Sequence, residues 1–558
     1  MAATLIRGGT VVDGTGAAGT PADVLVEGGR VRAVGPDAAT SAPAASLDVV
    51  DAGGCVVAPG FVDIHTHYDA QVFWDRAMTP SCFHGVTTVV AGNCGFSIAP
   101  TRPGDRELMA HTLEKVEDMD PAALMAGIPW DFETFPDYLA SVRRRGVGVN
   151  FAAYVGHLPI RVWVMGDEAA DREATDDEVA QMAGLVAEAM AAGAAGFATS
   201  LAVTHRGADG RPIPSRLASV AEIEACARAV AEAGRGVVAV NGGGPLGFSA
   251  TYDLAERVGV PVTYTALLTT PDGKHTKAVE IHRARSAAGA RVHPQVSCRP
   301  LAFSMTMREP FTLNVNPVFA ALMAGSADDR ARAYADPAWR AQVRSAWRDA
   351  RSLPPRWETF EVMESAASPD LVGRRLVDLA AEAGADPFDR LLDLALAEPG
   401  LGLRMRATLA NDDEAGVAAL LTEPGCVLGL SDAGAHVGQL CDAPLPTDLL
   451  GPWVRDRQVM GHEAAVHKLT GEPAALFGFA DRGVLRPGAH ADVVVFDPAT
   501  VGPGPLRRVR DFPAGSERLT ADQATGVRLV MVNGAPVVVD GTLADGPPAG
   551  QLVAPAPR

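Results

Sequence analysis

Basic charge is scarce in this chain: 48 Lys and Arg stand against 67 Asp and Glu, a formal net charge of −19. Such a field repels phosphate backbones and anionic membrane surfaces, which excludes nucleic acid as the expected partner. Long apolar runs are missing too. No stretch of ~18 uninterrupted apolar residues occurs, and the N-terminal segment has no basic run leading into an apolar core. The expectation is a protein of the cytoplasm with no membrane partner. Cysteine is sparse and odd in number, seven with no Cys-x-x-Cys spacing, so a disulfide framework is excluded and most thiols are expected in the core.

What is present is length and alternation. With 558 residues the chain exceeds one ordinary core, and a large domain with a smaller companion is expected. Short strand-like segments cut by Gly and Asp turns fill residues 1–59. The same texture returns at 482–545, with an Asn533-Gly534 hairpin turn. Strands at both ends pair only if the ends meet, which predicts a small β-sandwich domain formed by both chain ends. The Pro- and Ala-rich residues 546–558 read as a flexible tail.

Between these ends, in residues 60–481, apolar runs alternate with helical patterns. Eight runs end near His65, Ala91, Tyr154, Thr199, Asn241, Ala266, Ser297 and Ser431. Thr175 with Glu178, and Ser219 with Glu222, read as capping boxes opening helices that close at Gly193 and Gly234. The pattern predicts an α/β fold, a (β/α)8 TIM-type barrel, interrupted by an insertion at about 300–424. The segment around Pro300–Pro317 mixes Phe, Met and Arg in loop-like order, suiting either a cover for the barrel mouth or a surface embellishment.

A barrel of this kind carries its chemistry at the C-terminal strand ends. The first delivers Pro59-Gly60-Phe61-Val62-Asp63-Ile64-His65-Thr66-His67. Alternate residues of a strand share a face, so His65 and His67 can meet one ion. A bare His-x-His also occurs in solvated loops, but this pair closes a continuous apolar run. The second strand ends in Gly92-Asn93-Cys94-Gly95, the third in Tyr154-Val155-Gly156-His157 with Arg161 and Met165-Gly166 beyond, and the eighth in Leu430-Ser431-Asp432-Ala433-Gly434-Ala435-His436.

These strings resemble the metal-dependent amidohydrolase superfamily, and 84–95 and 154–166 resemble its N-acyl-D-amino-acid deacylase branch. The resemblance covers nearly the whole chain and is strongest at 50–100 and 425–500. It implies that His65 and His67 bind metal, that Cys94 replaces a bridging carboxylated lysine, and that Asp432 binds metal and shuttles the proton. It also implies metal-binding histidines on strands five and six. Here strand five ends in Asn241, and strand six, Pro261 to Leu268, has no histidine. The expectation is therefore one ion per chain, zinc or another divalent metal, held by His65, His67 and Asp432, with Cys94 either a further ligand or a pocket thiol.

His157, Arg161, Asn241, His293 and His436 are candidates for the substrate pocket, His157 equally a buttress for its loop. Arg161, Arg299 and Arg308 are candidates to grip a substrate carboxylate. His205 and His275 read as loop or packing residues, and Gly242-Gly243-Gly244 as a tight loop. The leading expectation is hydrolysis of an amide C–N bond in an N-acyl-D-amino acid or related acyl amide. Cyclic-amide hydrolysis or a lyase reaction on the same scaffold is the alternative. A non-catalytic binding protein is the third reading, motivated by the missing histidines. The partner is a small molecule, and the sequence leaves a homo-oligomer open.

Overall fold

The structure, a computed structural model, describes residues 3–41, 47–207, 210–323, 325–349 and 355–558. It divides into two compact units, Met1–Arg299 with Asp413–Arg558, and Pro300–Asp412. No helix among the described residues is long and apolar enough to cross a membrane.

The first unit holds an eight-stranded sheet in strictly sequential order: Phe61–Asp63, Val86–Ala91, Asn150–Gly156, Gly196–Ser200, Val237–Asn241, Val262–Thr265, Val292–Val296 and Val427–Leu428. Every neighbouring pair is parallel. Beyond its outer members the chain is joined again, by a parallel bridge between Thr66 and Ala433 and by the His67 N–H donating to Ala433 O at 2.7 Å. Strands buried on both faces read as unbroken apolar runs, and Val86–Ala91 and Asn150–Gly156 are buried at every position. Packing between strands four and five is close enough that a Cβ on Gly196 would meet Val237 O at 1.7 Å, which only glycine avoids.

Helices fill the crossovers. Thr175 and Glu178 form the reciprocal capping box, and Gly193 closes that helix in the left-handed conformation. Ser219 caps Val220–Glu232 through the Glu222 N–H. The Glu222 carboxylate does not return to the cap as expected; it is buried against Arg161 and His157.

Strands from both chain ends share one nine-stranded sheet. The ends meet where Val493–Phe496 pairs antiparallel with Val56–Pro59, and Asn533 and Gly534 turn the hairpin of Val527–Val532 with Ala535–Val539 at positive φ. Val493, Val495, Leu529 and Met531 pack with Ile6, Val24 and Val26 in one core, while Val494, Phe496, Val530 and Val538 join the large core of the parallel sheet.

Three expectations need correction. The C-terminal segment is not a free tail: Phe151 N–H donates to Gln551 O and Val553 N–H to Phe151 O, both at 2.9 Å, and Ala556 N–H donates to Gly478 O. Backbone pairing fixes a Pro- and Ala-rich stretch that composition alone reads as mobile. The insertion closes at Asp412, because the helix Glu414–Leu421 is the element preceding strand eight. Inside the insertion Leu301–Thr306 is a strand, not a loop, paired with Arg404–Ala410, over a core that includes Phe319, Tyr334, Phe360 and Phe388.

Candidate metal centre

His65 and His67 follow the first strand, and their side chains turn the same way while Thr66 Oγ1 donates to Val90 O. Each ring is held from behind. His65 Nδ1 lies 2.6 Å from Gln295 Oε1 of strand seven, and His67 Nδ1 lies 3.2 Å from Glu117 Oε1 on the helix Arg106–Glu117. With Nδ1–H donated, each Nε2 lone pair faces forward. Both point at one atom: Asp432 Oδ1 is 2.9 Å from His65 Nε2 and 3.6 Å from His67 Nε2.

Asp432 sits in a loop where Leu430, Asp432 and His436 all have positive φ. Such backbone persists only where surroundings over-determine it. Here Ser431 Oγ donates to His65 O at 2.9 Å, and Gly434 lies so near His67 that a Cβ would meet its carbonyl at 2.8 Å. Beside Asp432, a cavity of about 20 Å³ lined by Gln71, Thr79, Cys441 and Arg518 among others has room for a water.

Cys94 is delivered by a turn in which Gly92, Cys94 and Gly95 have positive φ. Gly156 lies against it, where a Cβ would meet Gly95 O at 2.5 Å. The Cys94 sulfur is 3.8 Å from His65 Nε2 and accepts from Asn241 Nδ2 at 3.4 Å. Donor atoms of His65, His67 and Cys94 all lie within 4.8 Å of one another.

The electrostatics of this cluster call for positive charge at its centre. Burial alone would lower His65, but the Asp432 carboxylate and the Cys94 sulfur override it and hold the ring up at about 10. For His67, burial is outweighed by Glu117, Asp432 and Cys94, again upward. Asp432 resists the upward push of burial and is held well below the usual carboxylate range by both imidazoles. Cys94 is likewise lowered, its burial outweighed by His65 and His67. Two nitrogens and a sulfur gathered by His65, His67 and Cys94, with the Asp432 carboxylate facing both imidazoles, are donor types suited to zinc.

The remaining candidates divide. Asn241 reaches the cluster, but as a hydrogen-bond donor to sulfur. His436, half-buried on the Asp432 loop, and His205 both act electrostatically on Glu117; His205 is fixed by Ser200 Oγ at 2.8 Å and by the Phe96 ring. His157 and Arg161 are both fully buried, His157 between Thr199 and Glu222, Arg161 on Glu222 with Ala169 O and Arg172 O. The helix His157–Met165 that follows strand three carries them into the packing around Glu222 on the neighbouring helix. His293, near the start of strand seven, bonds the Gly425 backbone and is pushed down to about 4 by burial; it lies at the opposite end of the sheet from His65. Arg299 is tied to Asp442 and Asp448. Arg308 is exposed and donates to Gly400 O, and His275 accepts from Thr270 N–H. Gly243 pairs with Leu246 in a tight loop. Sequence reasoning missed Gln295 and Glu117. Gln295 had a signal, a buried amide inside an apolar strand; Glu117 had none.

The chain belongs to the amidohydrolase family, whose model matches residues 48–538. It is 32% identical to a D-aminoacylase of Alcaligenes xylosoxydans xylosoxydans over 96% of this chain and 94% of that protein. An N-acyl-D-aspartate deacylase of the same organism is 30% identical over 99% of this chain and 95% of its own length. Among solved structures, a D-aminoacylase described as having a binuclear metal centre, with one-metal activation and second-metal attenuation, superposes with a TM-score of 0.67 at 30% identity over 99% of each chain. The N-acyl-D-glutamate deacylase of Bordetella bronchiseptica, complexed with zinc and a phosphonate mimic of the tetrahedral intermediate, gives 0.65 at 27% identity over 99% of each chain.

Proposed function

We propose that this protein hydrolyses the amide C–N bond of an N-acyl-D-amino acid or a related acyl amide, using one divalent ion, zinc, held by His65, His67, Asp432 and Cys94. The observation that carries the reading is the convergence of both Nε2 atoms on Asp432 Oδ1 while both Nδ1 atoms are engaged from behind. Zinc bound there would supply the Lewis acidity that makes water nucleophilic near neutral pH and polarises an amide carbonyl. Asp432, 20% exposed against 1% and 5% for His65 and His67, takes the proton from the attacking water and returns it to the leaving nitrogen. Gln295 and Glu117 fix the imidazoles as neutral donors. Asn241 N–H disperses negative charge on the Cys94 sulfur.

One ion follows from this chain's own donors. Strand five offers only an amide, a poorer zinc ligand than imidazole, and strand six, Val262–Thr265, and the Ala266 and Leu267 that follow carry no histidine, too little to fix a second four-coordinate ion. The acyl-D-amino-acid substrate is supported by the relatives named D-aminoacylase, N-acyl-D-aspartate deacylase and N-acyl-D-glutamate deacylase. A second reading is favoured by the arginines: Arg161 and Arg299 are both consumed by carboxylates, which suits a substrate lacking a carboxylate, including a cyclic amide.

The scaffold proposed for this chemistry is a closed (β/α)8 barrel over 60–481, flanked by the end-strand sheet folded on itself as a sandwich of 1–59 and 482–545. The two faces of Val493–Phe496 entering different cores support it. Seven free thiols suit a reducing cytoplasm. The test is a panel of N-acetyl-D- and L-amino acids, uncharged acyl amides and cyclic imides, assayed with zinc and with chelator. Zinc-dependent release of a free amino group from the D-acyl substrates supports the first reading. Turnover of cyclic imides alone favours the second, and none of any substrate overturns both.

A further inference from the structure

We propose that Glu117 is a positioning residue: its carboxylate sets the His67 ring so that Nε2 faces Asp432, and the helix end that carries it fixes the loop bearing Asp432. This rests on the reading of His65, His67 and Asp432 as a metal site.

Glu117 stands where an acidic side chain is costly. It is the last residue of the helix Arg106–Glu117, where the macrodipole disfavours negative charge, and it is only 2% exposed. One oxygen, Oε1, meets His67 Nδ1 at 3.2 Å; the other, Oε2, is buried without a hydrogen-bond partner. A buried carboxylate with an unused oxygen carries a desolvation cost that a glutamine or an apolar residue of similar size would avoid. What the carboxylate alone supplies is a charged acceptor behind an imidazole, which fixes the tautomer and makes the opposite nitrogen a stronger donor.

The same helix end grips the Asp432 loop. Glu117 O accepts from Val437 N–H at 3.2 Å, and Asp118 Oδ2 accepts from Gly438 N–H at 3.1 Å. A Cβ on Gly438 would lie 2.6 Å from Asp118 Oδ2, so a side chain there would displace this carboxylate from its bond. The His67 backbone is bonded in turn to Ala433. The contacts close a circuit: His67 ring to Glu117, Glu117 backbone to Val437, and the loop back through Ala433 to His67. The spacing between the imidazoles and Asp432 is thereby set from a third element.

The experiment uses the full chain and zinc itself. Glu117→Gln keeps an oxygen able to accept from Nδ1–H and removes the charge; Glu117→Asp keeps the charge and withdraws it by one methylene. Each is expected to weaken zinc binding about 10- to 100-fold, read by competition with a chromogenic chelator, and to shift the visible bands of the cobalt-substituted protein. The metal-free Glu117→Gln protein should unfold no earlier than metal-free wild type. Wild-type zinc affinity and an unchanged cobalt spectrum in both variants would overturn the proposal. So would a fall in metal-free stability with affinity retained, or failure of both to fold, since each marks a purely structural role. A wild-type protein that binds no zinc would overturn the metal reading itself, a result distinguishable from the others.

Discussion

Asn241 Nδ2 donates to the Cys94 sulfur across 3.4 Å. The amide N–H faces the sulfur, and the amide oxygen is a poorer zinc ligand than an imidazole, so under the one-ion reading proposed above the fifth strand supports Cys94 and holds no second ion. Removing that bond should leave the sulfur more electron-rich. In the cobalt-substituted Asn241→Ala protein the sulfur-to-metal charge-transfer band is expected at longer wavelength than in wild type, with metal content still one per chain. Absence of any such band in the wild-type cobalt protein would remove Cys94 from the ligand set.

Asp432→Asn separates proton transfer from binding. The amide oxygen can still face the ion, but it cannot take a proton at neutral pH. Turnover should fall by roughly 10²- to 10⁴-fold, with zinc affinity falling much less. Near-normal turnover would assign the shuttle to another group.

The double substitution His65→Ala with His67→Ala should abolish stoichiometric zinc while leaving the far-ultraviolet circular dichroism of the fold. Both residues lie beyond Asp63, where the register of strand one with strand two ends, and the backbone bond from His67 N–H to Ala433 O does not need the imidazole. Zinc retained at one per chain would place the site elsewhere.

A pH effect is expected away from the metal. Burial lowers His84 to about 4, against a smaller opposing contribution from its bond to Ala521 O, with Arg299 and Asp522 the charges that act on it. Its folded pKa is below the unfolded ~6.5, so the neutral ring stabilises fully above about pH 6.5, and that contribution declines as pH falls toward 4. The loss is on the order of 3 kcal/mol. Melting temperatures across this window should fall less steeply in His84→Gln than in wild type; equal slopes would contradict the assignment.

The parallel strands were legible because burial on both faces favours β-branched and apolar residues at successive positions, as in Val86–Ala91. The eighth was legible mainly through Ser431-Asp432, since only Val427–Leu428 is bonded as strand. His65, His67 and Asp432 were singled out by strand-end position together with the resemblance to the amidohydrolases; position alone leaves Asp432 a turn cap. His157 and Arg161 sit in an equally suggestive string, yet a string of residue types does not say which way a helix turns its side chains, and theirs enter the packing around Glu222.

Glu117 lay beyond reach for another reason. Its bond to His67 joins residues fifty positions apart, on a helix end with no local motif, and only the fold brings them together. The C-terminal segment failed differently: its Pro and Ala composition describes an isolated chain, whereas its backbone groups find partners at Val147 and Phe151.

The most direct test is stepwise addition of zinc to metal-free protein, following hydrolysis of an N-acetyl-D-amino acid. The expected result is activity that rises linearly to one equivalent per chain and then stays flat. Activity in the metal-free protein, a rise continuing to two equivalents, or zinc bound at one equivalent without hydrolysis of any acyl or cyclic amide would contradict the one-ion amidohydrolase described above.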